Sequence, residues 1–287
     1  MRDDPAYIVL LGTKGGPAIR QGSTMPTASL VVMGGEEIVV DCGLGVTRAL
    51  TDQGVALKDL RTIFVTHLHS DHYLELGPLL HTAWTAGLQT GVTLWGPPGL
   101  GWYWQTFCAA MADDIDLRIE DEGRPDLRAL ITVREIAEAT IMEVGAVTVE
   151  ALRVDHPPLR DCFALSFAAG SKRVVLSSDT AYFPPLASFA KGADLLVHEA
   201  MLEEALEALV ARVGNTDERL MQHLRRSHST ATEAAQIAKA AGVGALALHH
   251  LIPSDDPAFT AEHWEAAVRM EWDGPLFVGQ DGLKIDL

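Results

Sequence analysis

Hydrophobic positions along this chain fall into two rhythms. Short apolar or alternating runs at 7–11, 29–33, 38–40, 62–65, 92–95, 146–154, 163–168, 173–176, 195–197 and 245–248 predict β-strands. Between them, positions 71–88, 99–112, 199–213, 230–241 and 260–270 repeat at the helical period. The helix at 230–241 has the firmest bounds, with Thr230 and Glu233 spaced as a capping box and Gly242 as a stop. The acidic stretch 113–140, broken by Gly123 and Pro125, is expected to be a loop with one short helix. Strands interleaved with helices, and the absence of repeats or low-complexity tracts, predict an α/β fold formed by residues 1–287 as one unit.

Composition narrows this picture. With 48% hydrophobic and 21% charged residues, 287 positions supply enough apolar surface for a large core, which excludes disorder and a disulfide-stapled miniature fold. Asp and Glu outnumber Lys and Arg 39 to 22, and the resulting charge of −17 disfavours nucleic acid as a partner. No apolar run approaches the roughly 20 residues of a membrane span, so a soluble protein without a membrane partner is expected. Cys42, Cys108 and Cys162 lie far apart in apolar surroundings and read as buried thiols. They favour a reducing, cytoplasmic location, with a signal peptide removed upstream left open.

Candidate chemistry is concentrated after the apolar run Ile63-Phe64-Val65, in Thr66-His67-Leu68-His69-Ser70-Asp71-His72. In an extended segment leaving a strand, His67 and His69 project to the same side. A turn into a helix then lets Asp71 and His72 face a neighbouring point, which suits two adjacent metal ions. An exposed polar loop would have no need of three imidazoles so closely spaced.

This HxHxDH segment resembles that of the metallo-β-lactamase superfamily. The resemblance implies a four-layer αβ/βα sandwich with mainly antiparallel sheets, built from similar halves at about 1–145 and 146–287. It also implies further ligands: His156 after an alternating strand, Asp179 in Ser177-Ser178-Asp179-Thr180 as the bridging carboxylate, and a histidine ending a strand near the C-terminus. His249 and His250 compete for the last place; the family's spacing to a nearby proline, here Pro253, selects His250. The implied site has His67, His69 and His156 on one divalent ion, Asp71, His72 and His250 on the other, and Asp179 between them. Zinc is the first expectation for both ions, with manganese or iron as alternatives.

Val197-His198-Glu199-Ala200 and Ser227-His228-Ser229-Thr230 are similar to segments of the ribonuclease Z and arylsulfatase-like branch. There a glutamate and a histidine form a proton-transfer pair, implying Glu199 and His228 here; with Asp71 these are the catalytic candidates. Leu11-Gly12-Thr13-Lys14-Gly15-Gly16-Pro17 resembles the same branch's first strand and turn, and it lacks the spacing of a phosphate loop. Trp95, Trp102, Tyr103, Trp104 and Phe107 read first as core, with a place in an apolar substrate pocket held open. His81, His223 and His263 sit in helical patterns without a partner motif and read as surface or core residues.

Metal ions held by histidine and carboxylate imply hydrolysis, and no glycine-rich loop has the setting of a flavin or nicotinamide site. Ribonuclease Z usually carries a basic arm after its third-histidine motif, whereas only 22 residues separate His156 from Asp179. Together with the acidic charge, this favours a small-molecule ester, of the aryl sulfate, phosphodiester or lactone class, over tRNA 3′ processing. A non-catalytic metal-binding effector is a third reading, and a homodimer is compatible with all three.

Overall fold

The computed structural model describes residues 5–214 and 218–287. Fourteen strands form two sheets of seven. In chain order they are β1 (Tyr7–Gly12), β2 (Ala28–Met33), β3 (Glu36–Val40), β4 (Thr62–Phe64), β5 (Val92–Gly96), β6 (Ile131–Glu135), β7 (Ile141–Val144), β8 (Val147–Arg153), β9 (Phe163–Ala169), β10 (Lys172–Leu176), β11 (Leu195–Met201), β12 (Ala245–Ile252), β13 (Leu276–Val278) and β14 (Leu283–Asp286). The sheet orders are β14-β1-β2-β3-β4-β5-β6 and β13-β12-β11-β10-β9-β8-β7.

Alternation along the strands builds the layers. Ile8 and Leu10 of β1 turn toward the opposite sheet, where they join Val149, Phe167 and Val174 in the central core. Val9 and Leu11 turn the other way, onto helices that contribute Leu50, Leu79 and Trp84. Across the middle, Phe64 meets Phe167 edge to face at 5.5 Å. The second sheet carries its own outer layer, with Ile237, Ala238 and Trp264 packed on Leu196 and Leu246. This is the expected four-layer sandwich.

The strand directions differ from the expectation of mainly antiparallel sheets. Each sheet is evenly mixed, with three antiparallel pairings and three parallel ones. The helices between strands are the cause: each parallel neighbour is reached through a helix on the outer face, while the antiparallel neighbours are joined by turns or loops or, for β14 and β1, bring the two ends of the chain together. The division into halves also differs. β7 already belongs to the second sheet, and the C-terminal β14 crosses back to pair with β1, Tyr7 facing Asp286.

Two stretches adopt other structure than their patterns suggest. Within 113–140 lie a helix at Ala112–Glu122, a short helix at Leu127–Leu130 capped by Asp126, and β6. The first is a solvated helix with little apolar face, and Arg118 braces it by pairing with Asp114 and Glu122 one turn either side. At the predicted helix 199–213, β11 instead continues to Met201, and the helix begins at Leu206. The capping box at Thr230 and Glu233 forms, and Gly242 ends that helix in the left-handed conformation. No helix among the described residues is long and apolar enough to cross a membrane.

Candidate metal centre

Where β3, β4, β8, β10, β11 and β12 end, the two sheets present their C-terminal strand edges to a common point. The structure brings two groups of potential ligands together there. His67, His69, His156 and Asp179 form one, and Asp71, His72 and His250 form the other, with the ligand atoms of each group within 4.8 Å of one another. In the first, His69 Nδ1 lies 3.2 Å from His67 Nε2 and 3.0 Å from His156 Nε2. Asp179 Oδ2 stands 3.7 Å from His67 Nε2 and 3.9 Å from His156 Nε2. The same oxygen lies 3.4 Å from His72 Nε2 and 3.1 Å from His250 Nε2, so it reaches both groups. Asp71 Oδ2 completes the second group, 3.2 Å from His250 Nε2.

These residues fit divalent ions by spacing and by chemistry. Bonds of about 2.0–2.1 Å in a tetrahedron place neighbouring ligand atoms about 3.3 Å apart, close to the separations above. His72 Nε2 and Asp179 Oδ1 are buried without any hydrogen-bond partner among the described residues, a costly state that coordination would relieve. Burial holds His67 well below the ordinary imidazole pKa and brings His156 down to about 4, so both are neutral and have a lone pair to give. Burial alone would raise the Asp71 and Asp179 carboxyls. The surrounding histidines outweigh it and keep both well below the usual carboxylate range.

Local backbone features aim the ligands. Where β12 pairs with β11 the register slips at His250, since Glu199 faces His249 but Ala200 faces Leu251. His250 takes φ 45°, a conformation unfavourable for a residue with a Cβ, and this bulge turns its ring into the site. His249 points the other way, with Nε2 2.9 Å from the carbonyl oxygen of Gly12. The glycines of the first loop serve the same end. A Cβ on Gly15 would stand 2.9 Å from the His250 ring, and Gly16, at φ 83°, donates its N–H to Asp71 Oδ2 at 2.8 Å.

Glu199 is on strand β11, buried, and not in the first turn of a helix. His228 Nδ1 lies 3.0 and 3.1 Å from its two carboxylate oxygens. Thr180 N–H donates a further hydrogen bond to Glu199 Oε1. A rise in the His228 pKa beside a carboxylate would be the simple expectation, but burial reverses it. Burial lowers the pKa of His228 and raises that of Glu199 well above the ordinary range, disfavouring the charged form of each. His228 also comes within 4.8 Å of Asp179 and His250 as a possible third grouping, but its Nδ1 is already committed to Glu199.

One cavity of about 350 Å³ opens over these residues, and His69, Asp71, Asp179, His228 and His250 lie in its wall. Its lining includes the cations Lys14 and Arg20 and the apolar side chains of Leu209, Leu220 and Leu224. Burial lowers the Lys14 pKa, with Asp255 opposing. None of the tryptophan-rich cluster lines this cavity. Trp104 and Phe107 stack in the outer core, Tyr103 packs on Tyr73, and Trp102 is 73% exposed. Helical spacing here marked packing for Tyr103, Trp104 and Phe107 and left Trp102 in solvent.

The sequence reading missed three contributors. Asp41, after β3, is buried with Oδ2 2.8 Å from His72 Nδ1, and it accepts hydrogen bonds from the Thr66 N–H and hydroxyl. Its signal was available: an aspartate closing an apolar strand, as Asp179 does after β10. The Ser227 carbonyl oxygen lies 2.7 Å from His156 Nδ1 and fixes that ring. His223, read as a bystander, lines the cavity with its ring 6.4 Å from that of His69 and 5.9 Å from that of His228. His81 and His263 are bystanders, paired with Asp114 and completing a cap with Thr260.

Comparison with known proteins agrees with this geometry. The family model described as "Anti-Pycsar protein Apyc1" matches residues 6–243. A protein named ribonuclease Z from Mycobacterium sp. (strain KMS) is 31% identical over 284 residues, covering 98% of this chain and 95% of the relative. Another of that name, from Mycobacterium bovis (strain BCG / Pasteur 1173P2), is 30% identical and covers 98% of each. Among solved structures, the metallo-β-lactamase fold protein YhfI from Bacillus subtilis superposes with a TM-score of 0.73 at 22% identity, covering 99% of this chain and all of YhfI. The short form of human tRNase Z (ELAC1) gives 0.66 at 20%, with 97% and 98% covered. The chain therefore belongs to the Apyc1 family of metallo-β-lactamase-fold proteins, shares ribonuclease Z-like relatives, and is a metal-dependent hydrolase.

Proposed function

We propose that this chain hydrolyses small anionic phosphodiesters at two divalent ions, zinc foremost. His67, His69 and His156 would hold one, Asp71, His72 and His250 the other, and Asp179 both. The observation carrying this reading is the convergence of four imidazoles, those of His67, His72, His156 and His250, on one oxygen of Asp179 beneath a cavity of small-molecule size. Bound divalent ions supply Lewis acidity and a water of lowered pKa. The chain's own residues do the rest. Gly16 and Asp41 fix Asp71 and His72, the cavity walls orient the ester, and His228, held by Glu199 through Nδ1, presents Nε2 to the departing oxygen.

A phosphodiester is favoured within the ester class because the curated relatives are named for cleaving RNA, itself a phosphodiester. The small substrate is favoured by size and charge. A cavity of about 350 Å³ admits a nucleoside cyclic monophosphate or a nitrophenyl diester, whereas a chain of net charge −17 offers few cations to an RNA backbone. The same relatives, matched along nearly their whole length, support a second reading, tRNA 3′ processing. Metal-loaded protein should be offered bis(p-nitrophenyl) phosphate, a nucleoside cyclic monophosphate, p-nitrophenyl sulfate, a lactone and precursor tRNA, with Asp179→Ala as the blank. Turnover of the diesters is expected. Efficient cleavage of precursor tRNA at physiological salt would establish the second reading, and turnover of the sulfate or lactone alone would move the substrate class.

A further inference from the structure

Lys14 is 3% exposed, yet it lines the cavity beside the metal-binding residues. Its ammonium has three donors and makes one hydrogen bond among the described residues, to the Gly15 carbonyl oxygen at 3.3 Å. The nearest acid is Asp255 at 4.0 Å, whose side chain is 1% exposed. That carboxylate is not free for Lys14: Arg20 approaches it at 2.9 Å and Arg212 at 3.3 Å. Lys14, Arg20 and Arg212 thus converge on Asp255, Arg212 having Asp256 as a second partner at 3.5 Å, and Lys14 and Arg20 line the cavity. A buried ammonium with unused donors is costly to maintain, and such groups are kept where a ligand completes them.

We infer that Lys14, clamped from behind by Asp255, is a substrate-binding residue that takes a charged non-bridging oxygen of the ester and makes the site select anionic over neutral substrates. Arg20 lines the same cavity, and the apolar side chains of Leu209, Leu220 and Leu224 receive the uncharged remainder of the substrate. The inference rests on the hydrolase reading for the identity of the ester, but the anion site itself is testable without turnover.

Inorganic phosphate titrated into metal-loaded wild-type and K14M protein tests it directly. A charge-assisted hydrogen bond in a buried site corresponds to about 10- to 100-fold in affinity, so K14M should bind phosphate that much more weakly at unchanged metal content. The KM for bis(p-nitrophenyl) phosphate should rise similarly, a neutral p-nitrophenyl phosphate triester should lose less than the diester does, and K14R should recover most of the loss. R20Q, at a half-buried position that does not threaten folding, should weaken phosphate binding about two- to fivefold. Wild-type phosphate affinity in folded K14M, or in R20Q where K14M fails to fold, would overturn the inference. If the wild type hydrolyses no ester at all, the hydrolase reading fails, and the phosphate titration still decides the role of Lys14.

Discussion

Asp41 contributes to the centre without touching the cavity, because its carboxylate fixes which nitrogen of His72 faces Asp71 and Asp179. Outer carboxylates of this kind typically sustain about 10- to 100-fold of metal affinity. Asp41→Asn should therefore lose metal to a competing chelator at a concentration lower by that factor, and unchanged affinity would show that Asp41 does not fix the His72 ring. His228 belongs to a different class of residue. His228→Ala should keep its metal ions and lose about 10²–10⁴-fold in turnover, with a smaller loss for nitrophenolate leaving groups, which need little protonation. An equal loss across leaving groups, or loss of metal, would assign His228 a positioning or ligating role. The run His67 to His72 was legible because its members are neighbours in sequence. Asp41 had a local signal in closing an apolar strand, but its role depends on the pairing of β3 with β4, and His223 had none, since it reaches the site through helix packing.

At the scale of elements, local pattern and tertiary context disagree most along β11. Residues 199–213 carry a helical rhythm, but pairing with both β10 and β12 holds the chain extended to Met201. That extension places Glu199 on a strand, facing His228. The short edge strands β7, β13 and β14 escaped detection because each draws its stability from one long-range neighbour more than from its own sequence. β11 and β12 also bury His198 and His249, which burial holds down to about 4 and about 3 against an ordinary value of 6.5. Below about pH 6.5 the unfolded imidazoles take up protons that the native strands refuse, so the unfolded state binds more protons and stability falls with pH. The metal-free protein should therefore show a melting temperature that drops from pH 7 to pH 5, and His249→Gln should flatten that slope if it folds normally. A melting temperature constant over this range would show that these histidines do not resist protonation.

Across the whole molecule, both halves of each sheet feed the site: the loops after the antiparallel strands β1 and β8 supply Gly16 and His156, and the strands with parallel neighbours supply the rest. The α/β class was legible from strands interleaved with helices, whereas the four-layer order was expected only from the resemblance carried by the HxHxDH segment. The even mixture of strand directions and the return of β14 to β1 were not legible, since both depend on connections between distant segments. Charge is also uneven: a chain of net −17 has Lys14 and Arg20 in the lining of its cavity. The account's central claim is that the two ligand groups, joined by Asp179, hold two ions. Metal analysis of protein purified without chelator tests this most directly. About two equivalents per chain are predicted, falling to about one in His250→Ala. A content fixed at one equivalent and indifferent to His250→Ala would contradict it.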